Sequence, residues 1–153
     1  MLLSIERYDP RKDKEDLKEL FTDFIKNKSY FPSNWNNFEY ELNKRLLNLQ
    51  YRNSMVMAKE DGKMVGWGTY TVFRDFLGKD YVLIHQIMTR KEDSYKKNIE
   101  EQIIRELLKY IKSSLPDIKQ YYIICPDKDG NFRSLILKLG LKKSEFIWYE
   151  SDL

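Results

Sequence analysis

The stretch that most limits how this chain can fold is residues 84–112, IHQIMTRKEDSYKKNIEEQIIRELLKYIK. Taken with Tyr81-Val-Leu before it, it reads as strand, loop and helix. Residues 81–88 are largely apolar and barely alternate, which predicts a strand covered on both faces. Ile99, Ile103, Ile104, Leu107, Leu108 and Ile111 recur at helical spacing and mark one inward face. A strand that needs cover on both sides, followed by a helix with one apolar face, calls for helices laid over a sheet. The loop between them is polar and basic, with Arg90, Lys91, Lys96 and Lys97.

The rest of the chain arranges itself around that unit. Residues 119–125 hold Tyr121-Tyr-Ile-Ile-Cys125, a further buried strand, so the segment from 81 to 125 is a strand–helix–strand crossover. A short first strand over 2–8 is broken by Asp9-Pro10. Residues 12–28 follow as a helix, with Leu17, Leu20, Phe21, Phe24 and Ile25 on its core face. An aromatic break over 29–36 leads to a second helix, capped by Asn36 or Asn37 and running to about Gln50, with a stripe of Phe38, Leu42, Leu46 and Leu49. Strands over 54–59 and 64–73 flank a tight Asp61-Gly62 turn. Gly66 and Gly68, on either side of Trp67, point to a bulge or to something packed closely on the strand. Near the end, Asn131 caps a helix over 132–139 closed by Gly140, and 146–150 forms a last strand. The expectation is one mixed α/β domain over 1–153: a central, mostly antiparallel sheet with one crossover and helices on both faces.

Composition narrows the partners. A net charge of +3, from 27 basic and 24 acidic residues, makes no case for nucleic acid. One cysteine, Cys125, excludes an internal disulfide framework and a cysteine-built metal site, and suits a reducing cytoplasm. No apolar run reaches the ~20 residues of a membrane span, and the first residues lack the pattern of a signal peptide.

Three segments carry a resemblance to a known family. The hairpin MVMAKEDGKMVGWGTYTV resembles the second and third strands of the GNAT superfamily of acyl-CoA-dependent N-acyltransferases. Residues 84–112 stand where that family has its fourth strand, cofactor loop and third helix. Asn131-Phe-Arg-Ser-Leu-Ile-Leu-Lys-Leu-Gly-Leu141 is similar to its late Asn-x-x-Ala-x-x-Leu-Tyr-x-x-x-Gly-Phe segment. The resemblance implies transfer of an acetyl group from acetyl-CoA to a primary amine of a small molecule or peptide. It implies that the backbone of Ile87, Met88 and Thr89 pairs with the pantetheine arm. It places the pyrophosphate at Lys96, Lys97, Asn98, Ile99 and Glu100, where a helix start offers free N–H donors to an anion. Asn131 touches the cofactor or only caps its helix.

The chain departs from the family at this loop. The family pattern Arg/Gln-x-x-Gly-x-Gly/Ala is here Tyr95-Lys-Lys-Asn-Ile-Glu100, with no glycine. Asn98 and Glu101 have the spacing of a capping box, which would use donors that a phosphate needs. Ile136 stands where many members carry a Tyr that protonates the leaving thiolate. The alternative reading is a catalytically degenerate member that keeps the fold as a ligand-binding or regulatory module.

For chemistry, His85 is the only histidine and falls near the position of a general base; the competing reading is a core histidine. Gln86 is its polar neighbour on the other face of the strand. Tyr149, with Tyr122 beside it in rank, is the candidate acid, or each is an ordinary strand aromatic. Tyr30, Phe31 and Trp35 line an acceptor pocket or form a hydrophobic staple. Cys125 reads as a buried structural cysteine rather than a nucleophile. The expected assembly is a monomer or a homodimer, with 146–150 as an edge strand able to pair between subunits.

Overall fold

The computed structural model describes residues 3–28 and 32–153. Asp9 ends β1 (Leu3–Arg7) and starts α1 (Pro10–Asn27). Its carboxylate accepts the Arg11 N–H at 3.0 Å, and Pro10, which has no N–H to satisfy, opens the helix. The next helix, α2 (Trp35–Leu46), starts earlier than expected: Asn34 caps it, accepting the Asn37 N–H at 2.9 Å. It also stops before Gln50. The Asn48 side chain accepts the Gln50 N–H at 2.9 Å and turns the chain, which leaves Leu49 77% exposed and outside the apolar stripe.

The Asp61-Gly62 turn joins β2 (Val56–Glu60) to β3 (Lys63–Gly68), with positive φ at both residues (51° and 82°) as a tight hairpin requires. The strand glycines mark a close approach. A Cβ at Gly66 would lie 2.6 Å from Ile99 Cγ2, and one at Gly68 2.6 Å from Ile87 Cδ1. Both glycines let α3 (Ile99–Ser114) settle onto the sheet.

Two strands expected to be continuous are interrupted. The first divides at Thr69 into β3 and β4 (Tyr70–Arg74); the second divides over 85–87 into β5 (Asp80–Ile84) and β6 (Met88–Thr89). They still run as one hairpin, but Trp67 faces Met88 while Tyr70 faces Ile84, so three steps on one arm match four on the other. That extra residue is a β-bulge, and it bends the returning arm. The result is two sheets, β1-β2-β3-β6 and β4-β5-β7, where β7 (Tyr121–Ile123) runs parallel to β5 after the crossover through α3.

Helices cover both faces. On one side α1 and α2 bury Leu17, Leu20 and Leu42 against Met57, Met64 and Trp67. On the other, Ile99, Ile103 and Leu107 of α3 pack with Val56, Val82, Ile84 and Phe132. The last helix, α4 (Gly130–Lys138), is capped by Asp129 rather than Asn131, and Gly140 follows it at φ 90°. The strand expected over 146–150 does not form: the chain beyond Gly140 runs without strand pairing, and Phe146, Ile147, Trp148 and Tyr149 are 61–91% exposed. Apolar strand-like residues alone do not make a strand, because the ladder needs a partner edge.

Candidate active site

The bulge opens the sheet. Strands β5 and β7 stay together as far as the Ile124 N–H, which donates to Ile84 O at 3.1 Å. Beyond that point β6 pairs with β3 and with no other strand among the described residues. Ile87 and Thr89 are buried, Ile87 against Gly68, and Thr89 Oγ1 lies 2.9 Å from Ser94 Oγ. Their side chains are anchored, so the backbone around Met88 is what the opening presents, an edge suited to an extended ligand.

The loop that follows takes an unusual path. Tyr95, Lys97 and Asn98 have φ of 60°, 56° and 56°. Asn98 stands at the glycine position of the GNAT pattern and adopts the left-handed conformation that Asn tolerates best among non-glycine residues. The expected Asn98–Glu101 capping box does not form, because the left-handed turn takes the Asn98 side chain away from the helix start. Glu101 instead pairs with Lys138 at 2.8 Å and Arg105 at 3.1 Å. The N–H groups of Asn98 and Glu101 are left without an acceptor among the described residues, so donors for a phosphate group are present.

Glu100 competes for the same place. Its side chain folds inward and is buried, and Oε2 accepts the Tyr95 N–H at 2.7 Å while Oε1 has no partner among the described residues. Burial raises its pKa, against the lowering effect of that N–H. A carboxylate thus sits inside the loop where an incoming anion would seek a donor. Lys96 and Lys97 are exposed on the outside of the loop, and Lys97 reaches Glu60 at 2.7 Å.

A second polar centre ties this loop to α4. Asp129 is buried and accepts the Phe132 N–H at 3.1 Å, Gln86 Nε2 at 2.9 Å, Tyr95 Oη at 2.9 Å and Lys28 Nζ at 3.2 Å. Burial disfavours its charge, but these four donors outweigh it and hold the carboxyl below the usual range. The network joins the end of α1, the bulge, the loop and the head of α4 beside the sheet opening. Asp129, Tyr95 and Lys28 were absent from the sequence-based site. The one local signal for Asp129 is an acid three residues before Phe132, but the sequence reading gave that cap to Asn131.

His85 lies on the α2 side of the bulge. Its Nε2 is 2.6 Å from Thr71 Oγ1, and Arg45 Nη2 donates to that same oxygen at 2.8 Å. The Thr71 hydroxyl donates to Nε2 in the tautomer that carries its proton on Nδ1, and accepts from Nε2 in the other. Burial, helped by the Arg45 charge, pushes its pKa down to about 4, so the ring is neutral at physiological pH.

The other expected residues fall elsewhere. Asn131 is exposed on the first turn of α4 and does not cap it. Tyr149 is 91% exposed on the tail. Tyr122 packs on Tyr81, ring centroids 5.6 Å apart. Trp35 joins a core stack, 5.8 Å from Phe21 and 5.7 Å from Phe38, which accounts for it without a ligand. Tyr30 and Phe31 lie outside the described residues. Burial raises the Cys125 thiol, opposite to the activation a nucleophile needs. Among the described residues no cluster suited to a metal ion occurs, and no helix is long and apolar enough to cross a membrane.

Comparison with known proteins separates sequence from shape. No family model and no curated protein matches the sequence. Solved structures match over essentially the whole chain. A possible acetyltransferase from Clostridium difficile 630 superposes with a TM-score of 0.74 at 14% identity, covering 100% of this chain and 99% of that one. The ribosomal-protein-alanine N-acetyltransferase from Brucella melitensis biovar Abortus 2308 gives 0.72 at 13% identity, with 100% of both chains covered. Glucosamine-6-phosphate N-acetyltransferase from Arabidopsis thaliana gives 0.71 at 12% identity, with 99% of each covered. The chain has the GNAT fold. At these identities the likeness is one of architecture.

Proposed function

We propose that this protein is an N-acetyltransferase that moves an acetyl group from acetyl-CoA to a primary amine of a small molecule or peptide, in the cytoplasm. The observation that carries this reading is the sheet opening at Met88 next to the left-handed turn at Asn98. The superposed proteins include acetyltransferases named for glucosamine-6-phosphate, for aminoglycosides and for a ribosomal-protein alanine, which supports an amine acceptor. The donor supplies an activated thioester. The chain supplies a backbone edge at Ile87, Met88 and Thr89 to orient the pantetheine arm. It supplies the Asn98 and Glu101 N–H groups, with Lys96 and Lys97 nearby, for the phosphates. His85 is the proton acceptor, reached through the Thr71 hydroxyl. A base with a pKa near 4 takes up protons weakly at neutral pH, so the acceptor amine must arrive already neutral.

Isothermal titration with acetyl-CoA and with CoA tests the reading. Binding is expected, and its absence at about millimolar ligand, a range where even weak cofactor complexes form, removes the enzyme claim. A second reading, a GNAT-fold binding or regulatory module without turnover, is favoured by one observation: Glu100 already fills the loop. Donor binding with no acetylation of any member of an amine panel would select it.

A further inference from the structure

We propose that the side chain of Tyr95 fills the sheet opening in the free protein, latched there by Asp129, and that the acyl donor enters only when Tyr95 swings out. The identity of the donor rests on the acetyl-transfer reading; the plug is a property of the chain alone. The topology puts Tyr95 in the gap. It belongs to the loop between β6 and α3, and Asp129 to the head of α4 beyond β7. Tyr95 Oη lies 2.9 Å from both Asp129 oxygens, so this contact crosses from the β6 side of the opening to the β7 side. The ring also reaches from one face of the sheet to the other. It packs against the core cluster under α3, while Lys28 Nζ, at the end of α1 on the opposite face, stands 5.9 Å from its centroid. A side chain that meets both edges and both faces passes through the place where β6 and β7 part. An extended ligand laid along Met88 needs the same space.

The closed position is held at both ends and is not relaxed. The Tyr95 N–H donates to Glu100 Oε2 at 2.7 Å, and the phenol donates to Asp129, whose partners Gln86 and Lys28 come from the bulge and from α1. Yet Tyr95 has a φ of 60°, a conformation that a bulky residue takes only under constraint. Gln86 Oε1 and Glu100 Oε1, one beside each latch, are buried with no partner among the described residues. Gln86 cannot turn its amide over to relieve this, because the Asp129 carboxylate accepts and does not donate. Buried acceptors without donors weaken the state that contains them. An N–H on a ligand in the opening satisfies Gln86, so the open, liganded state gains a contact that the closed state lacks.

Tyr95→Gly tests the plug, since glycine takes a φ of 60° without strain and leaves the opening empty. On the protein alone, p-cresol, which is the tyrosine side chain as a free molecule, is expected to raise the melting temperature of Tyr95→Gly and leave that of the wild type unchanged. Toluene, with no hydroxyl for Asp129, is expected to raise it less. Calorimetry with CoA is expected to show about tenfold tighter binding to Tyr95→Gly than to the wild type, because the variant has no closed state to leave. Tyr95→Phe, which keeps the ring and loses the latch, is expected to fall between the two. In stopped flow, the wild-type association rate is expected to level off as CoA rises, set by the opening of Tyr95, while that of Tyr95→Gly keeps climbing. Absence of the p-cresol effect, or equal CoA affinity and kinetics in wild type and Tyr95→Gly, overturns the proposal. CoA binding to neither protein, with the p-cresol effect intact, supports the plug and overturns the acetyl-CoA reading instead.

Discussion

The imidazole of His85 meets Thr71 at 2.6 Å with the Arg45 guanidinium close by, and burial pushes its pKa from 6.5 to about 4. The sign of the effect on stability follows. Between those two values the unfolded chain binds a proton on this residue and the folded chain does not, so acid favours unfolding. Stability is expected to fall as pH drops from about 6.5 to about 4, by roughly 3 kcal/mol from this group. Urea midpoints measured across that window check it: His85→Gln is expected to flatten the dependence, and an unchanged slope in the variant would discount the role. Glu100 gives the second expectation at this scale. Glu100→Ala frees the Tyr95 N–H and removes a like charge from the phosphate position. Affinity for CoA is expected to rise about tenfold, roughly 1.4 kcal/mol, with Glu100→Gln gaining less because it retains an acceptor for Tyr95. Titration calorimetry reads the difference, and equal affinity in wild type and Glu100→Ala would show that the carboxylate does not compete. The acid at position 100 was visible in the sequence, within the loop read as the pyrophosphate position. Its inward fold was not, because that depends on the left-handed turns at Tyr95, Lys97 and Asn98.

At the scale of elements, the contact between α3 and β3 rests on two missing side chains. A Cβ at Gly68 would lie 2.6 Å from Ile87 Cδ1 and 2.8 Å from Ile103 Cγ2. Gly68→Ala is therefore expected to cost about 1–3 kcal/mol through overpacking and to lower the melting temperature by several degrees; calorimetry that finds no loss would mean the helix can shift freely. Glycine inside an apolar strand announced this approach in the sequence. The helix caps were legible only in part. Asn34, Asn36 and Asn37 are chemically equal as caps, and the choice of Asn34 puts Trp35 into the helix, where its ring joins Phe21 and Phe38. The bulge at 85–87 was not read from the sequence, although His85-Gln86 interrupts the apolar run there, because the register shift is settled by pairing across the sheet.

For the molecule as a whole, the decisive event is the parting of β6 from β7, which turns a continuous sheet into one with an opening at Met88. The Asp129 network closes around that opening with residues from positions 28, 86, 95 and 129, which no local pattern connects. The tail teaches the converse. Residues 146–150 read as a strand and have the side chains of one, yet pair with no strand among the described residues and remain in solvent. Element order, the two helix-covered faces and the crossover through α3 followed from the sequence alone, since apolar periodicity and turn residues are local properties that burial then obeys. The opening, the inward turn of Glu100 and the neutral state of His85 were decided by tertiary structure. Each depends on which distant groups come within about 3 Å, the range at which hydrogen bonds and desolvation act.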